Sequence, residues 1–256
     1  MSSDIAEKTY TVEGCTFYTK HRQGKTDATI IFEAGYGFSS DTWEPILPDI
    51  DEELGLFVYD RAGLGKSGPA GETRTADQMV KELKALLQAA GVKPPYVFVA
   101  HSFGAVIARL FASRYKGDII GMVLLDPACE DQEQYVLPLL PNDAQDDYFR
   151  QFLLEASHGE FIQSLNMLKQ EQKHLGAVPL LVLSSGKCSE SFKKAHHEWL
   201  KLHGRLLSLS HQSGWIQAKN SSHLIHHDEP HIVQLAIYDV WYAARKQHSY
   251  VYQTAN

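Results

Sequence analysis

Cysteine is scarce. Cys15, Cys129 and Cys188 are the three in 256 residues, far apart and with no CxxC pair. That excludes a disulfide framework and a zinc site built on paired cysteines, and it suits a reducing cytoplasm. Long apolar runs are missing as well. No stretch reaches the roughly eighteen residues of a membrane span. Basic residues are in deficit: the formal charge is −7, with Lys and Arg scattered. A nucleic-acid or anionic-membrane binder needs a basic patch, so neither partner is expected. The opening MSSDIAEKTY is polar and acidic, unlike a secretory leader. There are no repeats and no low-complexity tract, and nothing marks an oligomeric state.

What is present reads as an ordinary globular chain, 44% hydrophobic and 21% charged. The length suits one domain, or a core carrying an insertion. Alternation predicts an opening strand over 10–19, and short apolar runs predict strands over 28–32, 54–59, 96–100, 119–125 and 178–183, with a weak short one over 215–218. Helical spacing predicts helices over 75–90, 103–115 and 232–245, with Pro230 placed to start the last. Strands alternating with helices imply a mostly parallel sheet covered on both faces. Residues 127–176 break the rhythm. They hold no convincing strand, only helix-like runs containing Phe149, Phe152 and Phe161. The expected organisation is a core of residues 1–126 and 177–256 with a helical cap insertion at 127–176. A cap with a purely structural role stays open.

The strongest local signal is VFVAHSFGAVIARLF. A strand ends, Ser102 sits on a tight turn flanked by Ala100 and Gly104, and a helix begins. Small flanking residues let strand and helix approach, which lifts a serine hydroxyl above the sheet. The helix start offers N–H groups to developing negative charge. A nucleophilic serine is the reading; a simple helix cap is the alternative.

Such a serine needs a base, and with 13 histidines a histidine alone means little. His223 follows the last short strand on a loop, where it can reach across the sheet edge. His226 and His227 lie nearer the final helix and are expected in solvent. His101 should point away from the serine and pack. The imidazole needs a carboxylate behind it. Asp126 ends the strand GMVLLD, which should neighbour the serine's strand with its tip facing the same way. The alternative is an Asp-Pro turn. GLGKS lacks the first glycine of a phosphate loop and reads as a structural turn, where Arg61 is expected to pair with Glu33.

Together FEAGYGFSSDTW, YDRAGLGKSG, AHSFGA, LLDPA and SSHLIHHDEP resemble the α/β-hydrolase family, in its esterase-like branch with a helical cap. The resemblance runs through nearly the whole chain. It implies an eight-stranded, mostly parallel sheet and a Ser102, Asp126, His223 triad. It also implies an oxyanion hole from the backbone N–H groups of Tyr36 and Phe103. One departure stands out. Most members carry the acid one strand later, where this chain has GKCSE and Glu190 as the nearest acid.

The expected activity is hydrolysis of a carboxylic ester with an apolar acyl or alcohol part, through an acyl-enzyme. No metal or organic cofactor is implied. Thioesters and lactones are open alternatives for the bond cleaved. A ligand receptor or signalling module that keeps the triad is the rival from another class.

Overall fold

The computed structural model describes residues 5–71 and 73–254. Eight strands form one sheet: β1 (Ala6–Val12), β2 (Cys15–Arg22), β3 (Thr29–Glu33), β4 (Gly55–Tyr59), β5 (Tyr96–His101), β6 (Ile119–Leu125), β7 (Leu180–Ser185) and β8 (Ser213–Ala218). Their order is β1-β2-β4-β3-β5-β6-β7-β8, antiparallel from β1 to β4 and parallel from there on. β4, β5 and β6 read as continuous apolar runs because helices cover both faces.

The helices are α1 (Ala76–Ala89), α2 (Gly104–Arg114), α3 (Gln132–Tyr135), α4 (Asn142–Arg150), α5 (His158–Glu171), α6 (Lys193–Leu206), α7 (Ile225–Asp228) and α8 (Pro230–Thr254). On one face α1 and α2 bury Leu83, Leu87, Val106 and Leu110 against Phe57, Phe98 and Met122. On the other, α8 packs Val233, Ile237 and Val240 with Trp43 and Ile46 against Ile30, Val99 and Val123. Pro230 does begin α8. The chain between β6 and β7 is helical, and α5 lies against α1 and α2. Ser157 caps α5 reciprocally with Glu160, which fixes where that helix starts.

Two expectations change. The single opening strand over 10–19 is a hairpin: β1 and β2 pair around a turn at Glu13 and Gly14, both at positive φ. The turn takes only the two residues Glu13 and Gly14 between Val12 and Cys15. The second change is α6, which no expectation covered. Its apolar stripe of Ala195, Trp199, Leu202 and Leu206 has helical spacing but is diluted by lysines and histidines.

Candidate active site

The site lies at the carboxyl ends of β5 and β6. Among the described residues three non-glycine residues have positive φ: Glu13, Ser102 (49°) and Asp126 (41°). Two of the three are neighbouring strand tips, where strain of this kind is held by surrounding bonds. The Ser102 amide donates to Leu125 O at 3.0 Å, and the Asp126 amide to Leu183 O at 2.7 Å. Each tip is thus anchored to the end of the next strand. The Ser102 carbonyl also accepts from the Ala128 amide at 3.0 Å. Gly104 is required by space: a Cβ there would fall 2.4 Å from Glu33 O and 2.6 Å from Ala34 O.

Asp126 is buried and reads outward. Its Oδ2 lies 2.7 Å from His223 Nδ1, and its Oδ1 accepts from the Ser185 amide at 2.8 Å. Burial pushes the carboxyl up, but the His223 hydrogen bond, the charges on His223 and His203, and the Ser185 amide outweigh it. The net position is below the ordinary value. His223 sits on the loop after β8, with its side chain 48% exposed. Nδ1 is taken by Asp126, which leaves Nε2 for the cavity that His223 shares with Ser102. Glu190, the rival acid, is 86% exposed and pairs with Lys193 at 2.6 Å. The structure brings Asp126, and not Glu190, to the histidine.

His101 packs as expected. It is buried, and burial first, then the neighbouring His223 and His226, holds it well below the usual histidine range. Its neutral ring donates Nε2–H to the His223 carbonyl at 3.0 Å, which supports the loop from behind. His226 is a correction. It is buried, not solvated: Nε2 is 2.7 Å from Thr42 Oγ1 and the ring lies against Trp43 and His101. Two adjacent histidines look polar in sequence, and only the Thr42–Trp43 segment from a distant loop makes one of them a core residue. His227 is exposed, as expected.

Sequence reasoning missed the support behind Asp126. Trp215 Nε1 donates to Ser184 Oγ at 2.7 Å, and Ser184 Oγ meets His203 Nδ1 at 2.7 Å. His203 Nε2 then donates to Pro127 O at 3.0 Å. Burial lowers His203 to about 4, so this relay is neutral. His203 lies on the unforeseen α6, four residues after Trp199, and that spacing was its one available signal.

Tyr36 and Phe103 line the same cavity as Ser102 and His223. Their rings meet edge to face with centroids 5.4 Å apart. Among the described residues neither backbone N–H donates to a protein acceptor, whereas the next amides along the loop, Gly37 and Phe38, do. The Arg61–Glu33 pair is present, with Nη1 2.7 Å from Oε1.

The cavity has a volume of about 520 Å³. Val136, Leu137 and Leu140 line it from the segment between β6 and β7, and Phe192, Ala195 and Trp199 from α6 and the turn before it. Of the three cap aromatics, Phe161 lines it. Phe152 is buried beside Phe161 and Tyr148, and Phe149 is 45% exposed. Neither lines the cavity, although Tyr148 and Gln151 beside them do. Among the described residues no group of three or more His, Cys, Asp or Glu side chains could hold a metal ion. None of their helices is long and apolar enough to cross a membrane.

This fold and site define an α/β hydrolase. A model of the alpha/beta hydrolase fold family matches residues 28–183, and the chain belongs to that family. The chain is 59% identical to the Bacillus subtilis (strain 168) protein YqjL over 256 residues, the whole of both proteins. An AB hydrolase superfamily protein of Gibberella zeae is 36% identical over 111 residues, which is 42% of this chain and 34% of that one. A thermophilic esterase from Thermogutta terrifontis superposes with TM-score 0.65 at 17% identity, over 93% of this chain and 99% of that one. The epoxide hydrolase CorEH does so with TM-score 0.62 at 13% identity, over 90% and 96%. Likeness at this level shows the fold alone, and the fold hosts more than one hydrolytic chemistry.

Proposed function

We propose that the protein is a serine hydrolase that cleaves a carboxylic ester through an acyl-enzyme. One observation carries this reading. The Asp126–His223 hydrogen bond of 2.7 Å stands beside a serine held at φ 49°, and Ser102 and His223 face one cavity. Ser102 Oγ attacks the ester carbonyl while His223 Nε2 takes its proton. Asp126 holds Nδ1–H, fixes the tautomer and stabilises the imidazolium. The Tyr36 and Phe103 amides receive the oxyanion. The C–O bond of the tetrahedral intermediate breaks, and the alcohol leaves with the proton from Nε2. Water, activated by the same nitrogen, then releases the acid and frees Ser102.

The helices of 127–176 act as a cap, and α6 also lines the cavity. A cavity of this size takes a small molecule. The apolar walls suit an apolar acyl or alcohol group. The three free thiols fit a reducing, cytoplasmic setting.

A fluorophosphonate probe tests the nucleophile. It should label wild-type protein at Ser102 and leave Ser102→Ala unlabelled, and that variant should not turn over p-nitrophenyl esters. Labelling or hydrolysis that survives the substitution would remove the reading. A panel of esters, thioesters and lactones of matched acyl length then identifies the bond cleaved.

A further inference from the structure

The loop that carries Tyr36 is held by a residue from the segment between β6 and β7. Glu155 lies just before α5, in the segment between β6 and β7, with its side chain fully buried. Its Oε1 accepts from Arg61 Nε at 2.5 Å and its Oε2 from Arg61 Nη2 at 2.9 Å. Oε2 also accepts from the Gly37 amide at 3.0 Å. The forked contact is the geometry that fixes a guanidinium in orientation as well as position.

Arg61 passes that constraint to the loop. Nη1 donates to Ala34 O at 2.8 Å and to Glu33 at 2.7 Å, while Nη2 donates to Gly35 O at 2.7 Å. The Gly35 carbonyl and the Tyr36 N–H belong to one planar peptide unit and point in opposite directions. Pinning Gly35 O therefore sets where the Tyr36 N–H points. The neighbouring residue adds a second lock. The Tyr36 hydroxyl donates to the Ala156 carbonyl and accepts from the Ala156 amide, the latter at 2.6 Å. Behind the loop, a Cβ on Gly35 would fall 2.6 Å from His101 Nδ1, so the backbone runs flush against that ring.

We propose that Glu155 is a positioning residue for the oxyanion: with Ala156 it clamps the Gly35–Tyr36 peptide so that the Tyr36 N–H faces the reacting carbonyl. This rests on the serine-hydrolase reading above. It makes the cap segment part of the catalytic apparatus, beyond covering the substrate.

A merely structural Glu155 would alter melting temperature and leave the kinetics of folded enzyme intact. A positioning Glu155 alters the transition state. The test uses the full chain with Glu155→Gln, which keeps the side-chain size and removes the charge. The measurements are kcat and KM on an activated ester, Ki for an alkylboronic acid, and thermal melts. The boronate adduct places an oxygen where the oxyanion forms. The expected result is a kcat loss of about 10²-fold, as for a misplacement near 1 Å. KM should stay close to wild type, and Ki should rise in parallel with the kcat loss. Normal kcat and Ki in folded Glu155→Gln overturn the inference.

Should that variant not fold, Tyr36→Phe carries the test. It removes only the bonds to Ala156 and keeps the backbone N–H. It should lower kcat and weaken boronate binding by at least about tenfold, the scale of one or two hydrogen bonds. Folded Tyr36→Phe with both values unchanged overturns the inference equally. An inactive Ser102→Ala beside a normal Glu155→Gln sinks the clamp alone, whereas an active Ser102→Ala sinks the serine-hydrolase reading itself.

Discussion

Replacing Asp126 with asparagine should be far more damaging than its size suggests. The carboxylate accepts on both oxygens, from His223 on Oδ2 and the Ser185 amide on Oδ1. Asparagine has one acceptor and one donor end. If its carbonyl keeps the Ser185 amide, its NH₂ faces His223 Nδ1 and forces that nitrogen to accept. The proton then sits on Nε2, aimed at Ser102, and the base is lost. If the amide turns over, NH₂ meets the buried Ser185 N–H and leaves it unpaired, a cost of about 1–3 kcal/mol. The first arrangement wins, so the wrong tautomer dominates. In a related triad on another fold the same exchange lowers turnover about 10⁴-fold. That is about 5.5 kcal/mol of barrier. Glu190→Gln is the control: exposed and paired with one lysine, it should be silent within about 1 kcal/mol. The assay is kcat for both variants on one activated ester. Thermal melts accompany it, since a carboxylate held below its ordinary value stabilises the fold at neutral pH. A folded Asp126→Asn within about tenfold of wild type would refute the tautomer argument and make LLDPA an ordinary turn.

His223→Ala should remove nearly all turnover. His226→Ala should instead lower stability by about 2–4 kcal/mol, through the cavity left between Trp43 and His101 and the lost Thr42 bond. Folded His226→Ala should keep its kcat; equal loss in both variants would place His226 in the chemistry. Acid should destabilise the protein early. Burial holds His101 well below 6.5, His203 down to about 4 and His226 down to about 3. Each is neutral when folded and free to protonate when unfolded. The stability they represent is complete above about pH 6.5 and falls away as pH drops toward those values. Between about pH 7.5 and about pH 5.5 the three should cost about 4 kcal/mol together, and a flat melting temperature over that range would refute it. Leu140→Trp should narrow the cavity. Long-chain esters should lose at least about tenfold in kcat/KM while acetate is unaffected, and an unchanged chain-length profile would move the acyl group to another wall.

Features made by residues close in sequence were legible. The turn at Ser102 is one: strand, Ser102, Gly104 and helix follow each other within a dozen or so positions, and apolar runs bracket them. The place of Asp126 was legible for a related reason. Consecutive parallel strands with a helix between them put their tips side by side, so Asp126 could be placed from connectivity. Features made across the chain were not. Glu155 is 94 residues from Arg61 and 118 from Gly37, and nothing in the stretch LLEASHGE distinguishes a clamp from a solvated loop. His226 is similar, since its burial depends on Thr42 and Trp43, 184 residues from the nearer bond partner.

The position proposed for the acid has its own physical logic. With the carboxylate on β6, the tip of β7 is free to serve it. Ser185 offers its amide to Asp126 Oδ1, and Ser184 orients His203 under the Pro127 carbonyl. A carboxylate in place of Ser184 would remove the hydroxyl that meets His203, whereas the Ser185 donor is backbone and survives a change of side chain. The backbone at Asp126 is strained at φ 41°, and strain persists only where the surroundings over-determine it. Here the Leu183 carbonyl holds the residue's own amide, and His203 holds the carbonyl of the residue after it. Pairs of serines are common at strand ends, so SS after LLVL carries no meaning until Asp126 is known to lie beside it. The position of the acid and the identity of the β7 tip are therefore one choice, written in two segments that meet only in the folded sheet.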